Sequence, residues 1–202
     1  MLKFYLEMNE AKIVKFVRKL NNKYSKNDIN ELEKILNNKE LDHTVNYCAV
    51  LRMASKNGHY EIVKLLIHDL KIDPSIYDNY AICAASEYGH FKVVELLLKD
   101  ERVDPSTDSN CAIRLAAEYG HLKVAELLLK DKRVDPSAND NFAIRWALRN
   151  SHFEIVKLFL NNLKFLKSLT IEFIKEYNLV ESFLKYLNLK SEEELENYLK
   201  II

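Results

Sequence analysis

The sequence predicts an all-α chain of stacked helix–turn–helix units, and three observations carry that expectation. The phrase EYGHFKVVELLLKDERVDPS at 87–106 returns as EYGHLKVAELLLKDKRVDPS at 118–137, with three differences in twenty positions and an offset of 31. Single residue types recur at the same step: His59, His90, His121 and His152; Ala54, Ala85, Ala116 and Ala147; and Asp73, Asp104 and Asp135, each followed by Pro. Three Gly and three Pro in 202 residues are too few breakers for a protein of β-hairpins. A fixed period of roughly 20–50 residues marks units that stack because none buries its apolar surface alone.

Taken in order, the chain opens on a degenerate unit. DINELEKILNNKELDHT (28–44) lines up with HYEIVKLLIHDLKIDPS one period later, and a helix over about 10–20 supplies its partner. Four clear units follow, including SKNGHYEIVKLLIHDLKIDPS at 55–75 and RNSHFEIVKLFL at 149–160. In each there is a short helix rich in small residues; in the second unit it covers about 80–88 and ends at Gly89, which suits the left-handed conformation. A second helix, KVVELLLK at 92–99, carries Val93, Val94, Leu96, Leu97 and Leu98 around most of its circumference. Such a helix must be covered on several sides. Asp-Pro then breaks the chain. Past Asn161 the period is lost, and amphipathic segments at 163–176, 178–187 and 191–201 predict a helical cap. The expected organisation is therefore 1–47, a degenerate repeat or cap; 48–161, four repeats; and 162–202, a C-terminal cap.

AASEYGHFKVVELLL (84–98) and AAEYGHLKVAELLL (116–129) resemble the central part of the ankyrin repeat. The resemblance implies an ankyrin-type α-solenoid that binds proteins in a groove. The family's T-P-L-H is replaced by YAIC (80–83), CAIR (111–114) and FAIR (142–145), so Asn79, Asn110 and Asn141 are expected as substitute helix caps. The family's finger is expected to shrink to a turn on Asp-Pro-Ser. This 31-residue form resembles arrays abundant in giant DNA viruses of amoebae and in some amoebae; a viral origin would imply action in host cytoplasm.

Composition excludes other classes. Thirty basic and thirty acidic residues leave no net charge, against a general nucleic-acid binder. The N-terminus lacks a signal-peptide pattern and no apolar run reaches membrane-spanning length, so an intracellular, cytoplasmic protein is expected. There is no P-loop, GxGxxG, HExxH or GxSxG, so neither an enzyme nor a cofactor nor a small-molecule substrate is expected. The histidines step too far apart to share a metal, and are read as bonding nearby backbone. Cys48, Cys83 and Cys111, with no CxxC, are read as free thiols that fill space.

Positions that vary among units mark the candidate partner-binding surface. The residues before the glycine turn read Lys56-Asn57, Glu87-Tyr88, Glu118-Tyr119 and Arg149-Asn150, and a mid-helix position reads Met53, Ala84, Leu115 and Trp146. With Tyr77 at a turn tip, they offer the aromatic and charged types that dominate interfaces. The reading is a monomeric, non-catalytic module that binds a partner protein. One alternative is a ubiquitin-ligase adaptor using the terminal helices, though 162–202 has no specific F-box signature. Another is lipid or nucleic-acid contact through Lys12, Lys15, Arg18, Lys19, Lys23 and Lys26.

Overall fold

A computed structural model describes residues 43–162, 170–176 and 180–201, of which a few are described by backbone alone. The expected degenerate unit up to residue 42, its basic cluster, and parts of the expected cap helices (163–169 and 177–179) lie outside the described residues. Among the described residues there are helices and turns and no strand. The pairs are α1 (His43–Lys56) with α2 (Tyr60–Lys64), α3 (Ile76–Glu87) with α4 (Phe91–Leu98), α5 (Thr107–Glu118) with α6 (Leu122–Leu128), and α7 (Ala138–Arg149) with α8 (Phe153–Leu160). Three further helices follow: α9 (Ile171–Glu176), α10 (Val180–Leu187) and α11 (Glu192–Ile201).

The helices form two layers. First helices pack in the order α1, α3, α5, α7, and second helices in the order α2, α4, α6, α8. Ala81, Ala84, Ala85, Ala112, Ala116, Ala117, Ala143 and Ala147 are all buried, and their small size lets neighbouring first helices approach closely. The second layer has a spine at the period of 31: Leu66, Leu97, Leu128 and Phe159 are each fully buried. One continuous apolar cluster runs from Val50 through the stack to Ile174, Phe183 and Leu195 in the last three helices.

The link between units is a turn on Asp-Pro-Ser, as expected. Asp104 Oδ1 accepts the Ser106 N–H at 2.9 Å and its hydroxyl at 2.7 Å, and Asp73–Ser75 and Asp135–Ser137 repeat the motif. These bonds hold the Asp104 carboxyl below its usual range. Beyond the serine the chain makes a left-handed turn before the right-handed helix begins. Tyr77, Asp78 and Asn79 have φ of 54°, 53° and 57°, and 108–110 and 139–141 do likewise. Each such residue costs about 1–2 kcal/mol outside glycine, so three in a row need support from elsewhere. Part of it is a side-chain bond: Asn79 Oδ1 accepts the Asp104 N–H at 2.9 Å, and Asn110 Oδ1 accepts that of Asp135 at 2.7 Å. The sequence suggested caps, but the side-chain oxygens of Asn79 and Asn110 are bolts into the next unit. Arg114 adds a clamp, donating to the carbonyls of Ser109 and Asp108.

Two further ties join units. His90, His121 and His152 donate Nε2–H to the carbonyls of Lys56, Glu87 and Glu118, at 2.8, 2.8 and 3.1 Å. The histidines do bond backbone, but that of the preceding unit. Gly58, Gly89 and Gly120 leave the room: a Cβ on Gly89 would meet His121 Nδ1 at 2.5 Å, and φ there is +71°. Arg133 pairs in a fork with Asp131 and donates to the Val103 carbonyl of the preceding unit at 2.9 Å; Arg102 pairs with Asp100 in the same way. The first unit has Lys71 at this place, which has no fork, and there α2 continues as a π turn over Leu65–Asp69.

Burial lowers the His90 pKa. The neutral imidazole is therefore favoured in the fold, and this group's contribution is complete above the unfolded value near ~6.5 and declines as pH falls through it. The denaturant midpoint is expected to fall between about pH 7.5 and about pH 5.5, and to fall less in His90→Gln, whose amide can still donate. An equal fall in both proteins would remove His90 as a cause.

At the far end, Ser191 Oγ accepts the Glu194 N–H at 3.2 Å and Glu194 returns a bond to the Lys190 N–H, so Glu192, Glu193 and Glu194 form the first turn of α11.

Candidate functional site

The first-helix layer carries a ladder of cations on rings. The Arg52 guanidinium lies 5.6 Å from the Tyr80 ring centre, and Arg114 lies 4.9 Å from that of Phe142. Each pair spans one unit interface at an offset of 28 residues, one helical turn less than the period. Phe142 lies 5.5 Å from Trp146, and the Arg149 guanidinium lies 4.9 Å from the Trp146 ring centre. Two adjoining rings thus stand between Arg114 and Arg149.

The ladder is broken once. At the interface of α3 and α5 the corresponding residues are Cys83 and Cys111, and Ala84 occupies the place of Met53, Leu115 and Trp146. Smaller side chains leave a cleft of about 420 Å³. Cys83, Ala84, Cys111 and Leu115 line it, together with Tyr77, Tyr80 and Thr107 and the acids Asp78, Glu87 and Asp108. Arg114 Nη2 stands 3.7 Å from Asp108 Oδ2. The two thiols act on each other: Cys111, together with burial, pushes the Cys83 thiol up, while Cys83 and then Arg114 draw the Cys111 thiol down against its own burial.

The candidate residues fall into four groups. Tyr77, Glu87 and Leu115 come together on the cleft, and Tyr77 is 62% exposed. Lys56 Nζ lies 4.9 Å over the Tyr88 ring, and a side-chain hydrogen bond with Tyr88 raises its pKa; Tyr88 stacks on His90, and Tyr119 is exposed one unit further on. Trp146 and Arg149 extend the ladder. Other candidates are tied to the framework. The Asn57 amide donates to the Met53 carbonyl at 2.8 Å, the Asn150 amide to that of Glu118 at 2.7 Å, and the Met53 side chain packs against the core. Sequence reasoning missed Tyr80, Asp78, Asp108 and the thiol pair. The offset of 28 was the signal available, since it brings residues of successive units face to face.

Among the described residues no group of three or more His, Cys, Asp or Glu is placed to hold a metal, and no helix is long and apolar enough to cross a membrane.

The family model described as ankyrin repeats (3 copies) matches residues 9–108, 51–140 and 82–168. No curated protein matches the chain. Ankyrin repeats are in general protein–protein interaction modules. The repeated helix pairs, the two layers and the glycine–histidine turns agree with matches that span most of the sequence, and the chain belongs to the ankyrin-repeat family.

Proposed function

We propose that the chain is a non-catalytic docking module that grips a partner protein along its first-helix face, from Tyr77 across Tyr88 and Tyr119 to Trp146 and Arg149. The observation that carries this reading is that four of the five large hydrophobic side chains exposed among the described residues, Tyr77, Tyr80, Tyr88 and Tyr119, belong to the first helices and their ends, at between 42% and 62% exposure; the fifth, Phe153, is on α8. Tyrosine, tryptophan and arginine supply most binding energy at interfaces. The cleft between α3 and α5 adds chemistry. Its tyrosine wall and its acids Asp78, Glu87 and Asp108 suit a lysine or arginine side chain of the partner. The basic cluster at 12–26 lies outside the described residues, and the docking reading does not use it.

Affinity capture from the native cell, run in parallel with the wild type and a Tyr77→Ala/Tyr88→Ala/Tyr119→Ala variant, tests it. Tyr77 and Tyr119 are at least half exposed and Tyr88 is 43% exposed, so the variant is expected to stay folded, with its midpoint lowered only by the loss of the Tyr88 contacts to Lys56 and His90. It is expected to lose the wild-type partner by at least tenfold, the effect of about 1.4 kcal/mol. Recovery of the same partner in equal amount would dismiss the docking face.

A further inference from the structure

We propose that Cys83 and Cys111 form a redox site: a thiol pair across one unit interface that closes to a disulfide by exchange with a low-molecular-weight disulfide such as oxidised glutathione. The stack's own periodicity supplies the geometry. Arg52 with Tyr80 and Arg114 with Phe142 are in contact across their interfaces, and Cys83 with Cys111 occupies the same pair of positions on the interface between them. Ala81, Ala84, Ala85, Ala112 and Ala116 are buried on α3 and α5, so the two helices approach closely, and the Cys83 and Cys111 thiols line one cleft and interact with each other, as closure to a disulfide requires. The substitution is also paired. A lone cysteine in place of an arginine would forfeit a clamp with nothing in return, whereas here both members of one rung are thiols.

The surroundings divide the work. Cys111 is half-buried and lines the cleft, whose volume of about 420 Å³ admits part of a small disulfide; Cys83 is 5% exposed behind it. Cys83 and Arg114 favour the thiolate of Cys111. In the first step the Cys111 thiolate attacks one sulfur of the reagent. A mixed disulfide forms and one reagent thiolate leaves. That adduct removes the negative charge that held the Cys83 proton. In the second step Cys83 gives its proton to the departed thiolate and attacks Sγ of Cys111, expelling the second reagent thiolate, which is protonated from water. Two protein thiols are oxidised, and one reagent disulfide is reduced to two thiols. Cys48 is the internal control: the gap it lines has no second cysteine on its wall.

The test treats the full reduced chain with oxidised glutathione at neutral pH, blocks remaining thiols with an alkylating agent, and maps the peptides by mass spectrometry. The wild type is expected to give a Cys83–Cys111 crosslink with Cys48 alkylated. Cys83→Ser is expected to stop at a glutathione adduct on Cys111, and Cys111→Ser to leave Cys83 alkylated. Circular dichroism shows whether each variant is folded, and the wild-type map alone decides the matter if one is not. A wild type that keeps separate adducts, stays fully alkylatable, or reacts at Cys48 as fast as at Cys111 would overturn the proposal.

Discussion

Replacing Gly89 by alanine is expected to lower stability by about 2–3 kcal/mol, from two causes that add. A residue other than glycine at φ +71° costs about 1–2 kcal/mol. The new Cβ would also stand 2.5 Å from His121 Nδ1, so the imidazole must move and give up its 2.8 Å bond to the Glu87 carbonyl. That bond contributes about 1 kcal/mol. The last copy of the turn supplies the control. Ser151 stands there with φ 61°, and the residue 31 beyond His152 is Phe183, so no further histidine asks for the space. Ser151→Gly is therefore expected to raise stability, by up to about 1 kcal/mol. Urea unfolding of both variants measures the contrast. Losses of similar size, or no loss in Gly89→Ala, would mean that the histidine ties carry little.

Leu97→Ala is expected to cost about 3 kcal/mol. Burying a leucine and then deleting its branch loses the transfer energy and leaves a cavity, together about 2–5 kcal/mol. Leu97 is fully buried in the spine with Leu66, Leu128 and Phe159. In a stack, stability is approximately a sum over units and their interfaces, so a loosened α4 weakens its contacts with both α2 and α6. A loss under about 1 kcal/mol in the denaturant midpoint would show that the second-helix layer collapses around the gap.

The period made the stack legible before any coordinates, because buried positions must repeat where units repeat. The Asp-Pro-Ser turn and the backbone role of the histidines were legible for the same reason. The left-handed turn at Tyr77–Asn79 was not. L-residues visit that region singly, and Asn79 before a helix reads as a cap. What supports the turn is an amide bond to Asp104, 25 residues ahead, which no local pattern reveals. The cleft was hidden for a different reason. Cys83 and Cys111 sit at different places in the repeat, so comparing like with like passes over them; only the neighbouring Arg–ring contacts show that those places meet. The varied residues before the glycine gave Tyr88 and Tyr119, which are exposed, and also Asn57 and Asn150, whose amides are tied to backbone.

Nitroxide distance measurement tests the stack most directly. Glu61, Lys92, Lys123 and Glu154 are equivalent exposed positions of the four units. With the native cysteines replaced by alanine, labels at 61 and 123 and at 92 and 154 should give equal separations of about 20 Å, and labels at 61 and 154 about 30 Å, from an advance of about 10 Å per unit. Unequal separations for the two matched pairs, or a 61–154 distance no longer than either, would contradict a chain that climbs one layer at a time.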